Sequence, residues 1–424
     1  MSDRGEKGTF RSLKNANYRL WATGAFVSNI GTWMQRIAQD WLVLTLLTHN
    51  SASAVGIVMA LQFGPQAFLF PLTGFAADYF NRKKILIVTQ CLMAVLALGL
   101  GLLTLTGLVQ LWHVYVFALL LGCVTAFDAP ARQTLVSDMV PEKYVSNAVA
   151  LNATSFNAAR MIGPAIAGVL IAAVGCGWVF LINALSFVAV LGSLLRLRTA
   201  EFNQRDKAVS SKGSLIEGLR YVWGRADLKT VVFMLFLIST FGLNFPIFIS
   251  TMTVSTFHIG SEHFGGLMSM MAVGSVMGAL LAAKREKPRL SLLLIGAALF
   301  GLGCTFALMT PNYMLFGVTL ILIGIAAQTF TTSANSLMQL SVEPAMRGRV
   351  IAIFLLIMQG CTPIGAPIVG WVADHFGPRW ALGVGALSGF IALLVGIHYM
   401  MKYRNLQFFI RLNGIRWQVD EPKY

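Results

Sequence analysis

Two pairs of opposite charges sit four residues apart inside long apolar stretches: Arg36 with Asp40, and Asp128 with Arg132. A further arginine, Arg160, lies three residues before Gly163 in another such stretch. Four residues make about one helical turn, so each pair shares a helix face. An ionisable group in a hydrocarbon span is costly and is a functional candidate by default. Burial favours a neutral carboxyl and a nearby guanidinium favours a carboxylate. A carboxyl whose surroundings alternate between those two can take up a proton at one face and release it at the other. Asp40 is the first candidate for that chemistry and Asp128 the second. Arg36 and Arg160 are candidates for gripping an anionic solute, or for competing with the proton at Asp40. Each pair also has a plain structural reading, a static salt bridge.

The elements that must position these residues are membrane-spanning helices. Charged residues are 12% of the chain and hydrophobic residues 56%, against about 25% charged in soluble domains. Mean hydropathy is +0.71. A span needs roughly 20 apolar residues, and it satisfies its own backbone hydrogen bonds only as a helix. The pattern predicts twelve spans, near 19–47, 53–77, 85–106, 112–138, 145–174, 178–196, 230–257, 263–283, 290–310, 313–340, 349–373 and 380–401. The fold class expected is an all-α integral membrane protein built as two six-helix bundles.

Lysines and arginines orient it. Of the 32, all but Arg379 and the intramembrane Arg36, Arg132 and Arg160 fall in one alternating set of loops and the two termini. That bias places both termini in the cytoplasm. The net charge of +15 follows this bias, so a nucleic-acid partner is rejected and anionic lipid headgroups are the expected contact. At ~1.5 Å per residue, Arg36 and Arg160 lie ~22–25 Å from their cytoplasmic helix starts, and Asp128 ~24 Å below the outer start of its own. Spans seven to twelve hold no comparable interior charge, and Asp374 stands at an outer end.

The chain divides into an N-terminal bundle, 1–196, a cytoplasmic linker, 197–229, a C-terminal bundle, 230–401, and a basic tail, 402–424. The linker ends in an amphipathic run, Leu215–Trp223, expected to lie on the inner membrane surface. The two halves repeat. "RMIGPAIAGVLIAAVGCGW" lies over "TPIGAPIVGWVADHFGPRW", matching Gly163 with Gly365, Gly168 with Gly370, Gly175 with Gly377 and Trp178 with Trp380. Parallel repeats of this kind are a transporter architecture with its site near the midplane.

Three kinds of motif carry a resemblance. "GFAADYFNRKK" after span two resembles the cytoplasmic loop signature of the major facilitator superfamily, through Gly74, Asp78, Arg82 and Lys83, with Tyr79 and Asn81 departing from it. The resemblance implies a gating loop whose Asp faces the start of a C-half helix. "ARMIGPAIAG" in span five is similar to the superfamily's antiporter motif, through Gly163, Pro164 and Gly168. The glycines permit close packing and the proline breaks one backbone hydrogen bond. "SNIGTWMQRIAQDWLVLTL", "AFDAPARQTLVSDMVP" and "NAVALNATSFNAARMIGPAIAG" resemble the transmembrane secretion effector group, which includes enterobactin exporters and macrolide efflux proteins.

Neutral polar residues within spans supply a candidate cavity lining: Asn29, Gln35, Gln39, Gln62, Gln66, Asn152, Asn157, Asn244, Gln328, Asn335, Gln339 and Gln359. Some of these are expected to be interhelical glue instead. Trp33, Trp41 and Phe63 could wall the cavity for a bulky cargo. There is no phosphate-binding GxxxxGK[ST] loop, no HExxH and no CxxC among the five cysteines, so neither an enzyme nor a cofactor or metal centre is expected. The proton motive force is the expected energy source.

With the resemblance, the expectation is a proton-coupled antiporter that exports a bulky small molecule, a siderophore or a drug, across a bacterial inner membrane. Its partners would be that solute, protons and lipids, and nothing requires more than a monomer. An uptake symporter or facilitator is the alternative, and a non-transporting scaffold or receptor a remote one.

Overall fold

The structure, a computed structural model, describes residues 10–69, 72–73, 76, 79–202, 215–283, 290–403, 407–411 and 414–418. Among them, ten helices are long and apolar enough to cross a membrane, and Ala52–Phe68 is a shorter apolar helix. Ala16–Trp41 is as long but carries Asn17, Arg19, Asn29, Gln35, Arg36, Gln39 and Asp40 among its apolar residues.

Most spans are single helices. Span one is Ala16–Trp41, prolonged by a π-helical stretch Leu42–Leu47. Arg82–Leu105, Leu111–Asp138, Val145–Val174 and Cys176–Arg196 are spans three to six. Ser261–Ala283, Leu290–Met309, Tyr313–Leu340 and Pro378–Tyr403 are spans eight, nine, ten and twelve. Local chemistry starts several of them. The side chains of Asn15, Ser51, Asn81 and Asn312 each accept a backbone N–H from the first turn of the following helix, satisfying a donor that the helix itself leaves open.

Spans seven and eleven are broken, where the hydropathy pattern predicts one helix each. Span seven runs Ala226–Leu237, loosens into a π-turn at Ile238–Gly242, restarts at Phe245–Thr251 and ends in a second π-turn, Met252–Thr256. Its break coincides with Gly242 and with Pro246, which cannot donate a helical hydrogen bond. Span eleven is Pro344–Gly360 followed by Thr362–Phe376, with Gly360 and Pro363 flanking the interruption. A window average over twenty apolar residues is blind to such breaks. The linker helix forms at Leu215–Gly224, and the tail contains an antiparallel strand pair, Gln407–Arg411 with Gly414–Gln418, in which Phe409 pairs Arg416.

The chain forms two compact units. The first comprises Met1–Ser211, Pro246–Ala272 and Ala366–Pro378, so it holds spans one to six with the second parts of spans seven and eleven and the first part of span eight. One of its cores gathers Tyr18, Trp21, Leu86, Leu135, Phe187 and Leu194. The Tyr18 hydroxyl donates to the Ala148 carbonyl at 2.8 Å. The second unit comprises Lys212–Phe245, Val273–Gly365 and Arg379–Tyr424. In it Phe300, Phe316 and Phe330 are fully buried, and Gly296 lies directly against Phe330. Lipid tails are as apolar as leucine, so such helices hold together by close packing rather than by escape from water.

The internal repeat is visible as conformation. Gly175 and Gly377, matched in the alignment, both take a positive φ, +85° and +98°, in the turns that follow spans five and eleven. Gly163 packs against Ile30 and Trp33 of span one, and its counterpart Gly365 against Thr240 of span seven. Gly168 packs against the start of span eight at Ser261 and Glu262, and its counterpart Gly370 against the start of span two at Ala52 and Ser53. The same glycine does the same job in each copy.

Candidate functional site

The two charge pairs read from the sequence take different forms. Asp128 is buried, and its Oδ2 accepts from Arg132 Nε at 3.0 Å and Nη2 at 2.7 Å. Its Oδ1 accepts from Thr89 Oγ1 at 2.9 Å and Gln90 Nε2 at 2.7 Å, both on span three. Arg132 Nη1 also donates to Asn29 Oδ1 on span one at 2.9 Å. The carboxylate therefore stands in a network linking spans one, three and four, with each oxygen accepting twice.

Arg36 and Asp40 form no salt bridge, although they stand one turn apart. The Arg36 guanidinium lies over the rings of Trp33, 4.7 Å from its centroid, and Phe63, at 5.5 Å. Its Nε is buried and without a hydrogen-bond partner. Asp40 is buried and makes no hydrogen bond or ion pair among the described residues. Arg36 is its charged neighbour. A cation over an aromatic face is attracted by the ring quadrupole, by about 2 kcal/mol when desolvated, and the rings thereby hold Arg36 away from the carboxyl.

Arg160 is half-buried, with a buried Nε that finds no partner. Its surroundings connect it to the Arg36 cluster. Phe156, one turn earlier, meets the Trp33 ring edge-on at 5.7 Å. Gly163, one turn later in the other direction, sits against the Trp33 Cβ. Trp33 is thus flanked by the Phe156–Gly163 face of span five on one side and carries the Arg36 guanidinium on its ring.

The neutral polar candidates divide. Gln35 accepts from Asn183 Nδ2 at 2.5 Å, a buried bridge from span one to span six. Gln39 and Gln62 are buried. Asn157 donates to the Ala153 carbonyl of its own helix, and Gln328 to Thr332 of its own helix. Gln339 donates to Asn335. Gln359 is exposed. Asn244, in the second unit, is completely buried at the break of span seven; its Nδ2 donates to the Thr240 carbonyl at 2.7 Å, while its Oδ1 has no partner. Gly365 of span eleven approaches that same Thr240 carbonyl so closely that a methyl group there would collide with it.

Of the residues expected to form a gating loop, Gly74 and Asp78 lie outside the described residues. Arg82 Nη1 pairs with Asp138 at the C-terminal end of span four, at 2.5 Å. Lys83 Nζ donates to the Leu197 carbonyl at 3.0 Å, past the last turn of span six, where a cation also suits the negative end of the helix dipole. The antiporter-like motif is in contact with two helices: Gly163 with span one, and Gly168 and the Pro164 carbonyl with span eight at Ser261–Gly265. Ser261 Oγ donates to the Gly168 carbonyl at 3.1 Å, and Ser269 Oγ to the Met161 carbonyl at 2.8 Å.

Sequence reasoning passed over Asp374, seen only as a charge at an outer end. Its carboxylate accepts from the Ser51 hydroxyl and from the backbone N–H groups of Ala52 and Ser53. It caps span two from the end of span eleven. The Ser51–Ala52–Ser53 run announces a helix start, but nothing local announces a cap donated from so far along the chain.

Among the described residues no group of His, Cys, Asp or Glu could hold a metal ion. At the linker, the Arg225 guanidinium is held more firmly protonated than usual, chiefly by its hydrogen bonds to Asp227. It also donates to the Ser341 carbonyl at 2.6 Å, while Arg349 pairs with Glu217 of the linker helix at 3.1 Å. These contacts moor the linker helix region to the C-terminal end of span ten and the first turns of span eleven.

Comparison with known proteins follows the same lines. The family described as transmembrane secretion effector matches residues 7–410. The staphyloferrin A transporter of Staphylococcus aureus is 26% identical over 84% of this chain and 89% of its own. The multidrug efflux pump Tap of Mycolicibacterium fortuitum is 27% identical over 83% and 88%. Macrolide efflux protein A of Streptococcus pyogenes is 24% identical over 92% and 96%. Among solved structures, a D-xylose–proton symporter superposes with a TM-score of 0.71 at 12% identity, covering 92% of this chain and 98% of that one. A bacterial homologue of the human lysosomal transporter Spinster, in an inward-facing and unoccupied conformation, gives 0.67 at 14% identity, covering 93% and 96%. These two likenesses show the fold. The chain belongs to the transmembrane secretion effector family of the major facilitator superfamily, and is a multi-pass bacterial membrane transporter rather than an enzyme.

Proposed function

We propose that this protein exports a bulky small molecule across the bacterial inner membrane in exchange for protons, with both termini in the cytoplasm. Twelve spans in two six-span halves would alternate access to a central site, as a monomer in the lipid bilayer. The observation that carries the reading is the state of Asp40: a buried carboxyl in a membrane span, with no hydrogen bond and with its arginine one turn away held on aromatic rings. A group so placed is free to change protonation as its surroundings change. Asp128, by contrast, is locked by four hydrogen bonds, which favours the structural reading of that pair. The relatives named as efflux pumps and as a siderophore transporter support the direction and the size of the cargo.

The test uses everted membrane vesicles, acidified inside by respiration and loaded with a pH-reporting dye. The probe is a cell extract from a strain lacking the gene, enriched in whatever the protein exports. Adding it outside should release protons from vesicles carrying the wild type, and not from vesicles carrying Asp40→Asn at equal membrane abundance. Equal proton release by both would remove Asp40 from the mechanism. No release by the wild type would point to uptake, since a symporter presented with cargo on that face has no luminal solute to carry protons out.

A further inference from the structure

The first unit contains two arginines in membrane spans that lack an acceptor, Arg36 and Arg160, although it supplies carboxylates to Arg132 and Arg82. Arg160 makes no hydrogen bond, ion pair or ring contact among the described residues. A guanidinium withdrawn from water without an acceptor is costly, and structures tolerate it where a ligand completes it. Beside it lies an aromatic cluster, Trp33, Phe63 and Phe156, of which Phe156 is 43% exposed. Two of these rings, Trp33 and Phe63, are presently covered by the Arg36 guanidinium.

We infer that the exported molecule is a planar or aromatic oxyanion, whose anionic group is taken by Arg160 and whose apolar body takes the place of Arg36 on the rings of Trp33 and Phe63. The inference rests on the export reading above and names its substrate class. A planar guanidinium fork matches a carboxylate or similar oxyanion in bidentate fashion, and the rings supply the stacking surface. The exchange of cargo for proton follows from the same geometry. With Asp40 protonated, Arg36 has no anion to seek and stays on the rings, where it blocks the cargo's body. With Asp40 ionised, Arg36 is drawn one turn along its own helix to the carboxylate and vacates the rings. Loaded, the site then holds two neutralised pairs, Arg36 with Asp40 and Arg160 with the cargo, which suits passage through a low-dielectric centre. Proton and cargo exclude each other without touching.

The experiment is a metabolite profile of the gene's own bacterium. The gene is deleted, then restored as wild type, Arg160→Gln or Arg160→Lys, and each strain's intracellular extract is fractionated by anion exchange at neutral pH. Compounds that accumulate on deletion and clear on restoration of the wild type should be retained as anions. Arg160→Gln, at equal membrane abundance, should leave their export lowered at least about tenfold, the loss expected when a charge-assisted partner is removed. Arg160→Lys should recover part of it. The purified Arg160→Gln protein should unfold no lower in temperature than the wild type, because no internal partner is lost. Neutral or cationic accumulating compounds would overturn the inference, as would full export by Arg160→Gln. If Arg160→Gln is missing from the membrane, the charge of the accumulating compounds decides alone. An extract unchanged by deletion would instead overturn the export reading on which the inference stands.

Discussion

The Asp374 carboxylate accepts the backbone N–H of Ala52 at 2.6 Å, capping the first turn of span two from the C-terminal end of span eleven. The same group accepts from Ser53 N at 2.9 Å and the Ser51 hydroxyl at 3.0 Å. Below it, Gly370 and Gly56 remove the β-carbons that would hold the two helices apart. A carboxylate at a helix N-terminus meets both open N–H donors and the positive end of the dipole. If the halves alternate, this contact must break in every cycle. A Ser51→Cys, Asp374→Cys pair, oxidised in otherwise cysteine-free protein, is therefore expected to cross-link and to stop export, with recovery on reduction. Undiminished export by the cross-linked protein would show that the two ends stay together throughout.

The crossing of the two broken helices gives a second expectation. Gly365 lies against the Thr240 carbonyl, with no room for a methyl group. Gly365→Ala must push span eleven away from span seven, at a cost of about 1–3 kcal/mol for overpacking. A lowered unfolding temperature in detergent checks it, and an unchanged one would mean that the breaks yield freely.

Asp128 supplies a third. Asp128→Asn leaves the half-buried Arg132 without its counter-charge, a change worth up to about 3 kcal/mol. The variant should accumulate less in the membrane and unfold at lower temperature, while the exported fraction keeps the wild-type response to pH. Asp128→Asn combined with Arg132→Gln should recover part of the loss, because the stranded charge is then gone. A shifted pH response with undiminished stability would instead assign Asp128 to proton coupling.

How legible these features are in the sequence depends on how local their causes are. The spans follow from apolar run length, and the glycine matches that announce the repeat reappear as matched backbone conformation at Gly175 and Gly377. Spacing correctly places Asp128 and Arg132 on one face, and they pair. The same spacing at Arg36 and Asp40 does not produce a pair, because Trp33 and Phe63 compete for the guanidinium, and Phe63 comes from a different helix. Thr89 and Gln90 on Asp128, Asn183 on Gln35, and Asp374 on Ala52 are all partners from other spans. Periodicity gives a residue's face but not its neighbour across the groove. The breaks in spans seven and eleven were within reach, since Gly242 with Pro246 and Gly360 with Pro363 mark them, but hydropathy averaging smooths them over.

The paired left-handed glycines carry one more consequence. Gly175 alone separates the helix ending at Val174 from the one beginning at Cys176, and Gly377 alone separates Phe376 from Pro378. A one-residue joint leaves no slack. Spans five and six are tied into a stiff hairpin, so a displacement imposed on one arm is handed to the other. The arm bearing Arg160 is thus geared to span six, with which that charge makes no hydrogen bond or ion pair among the described residues.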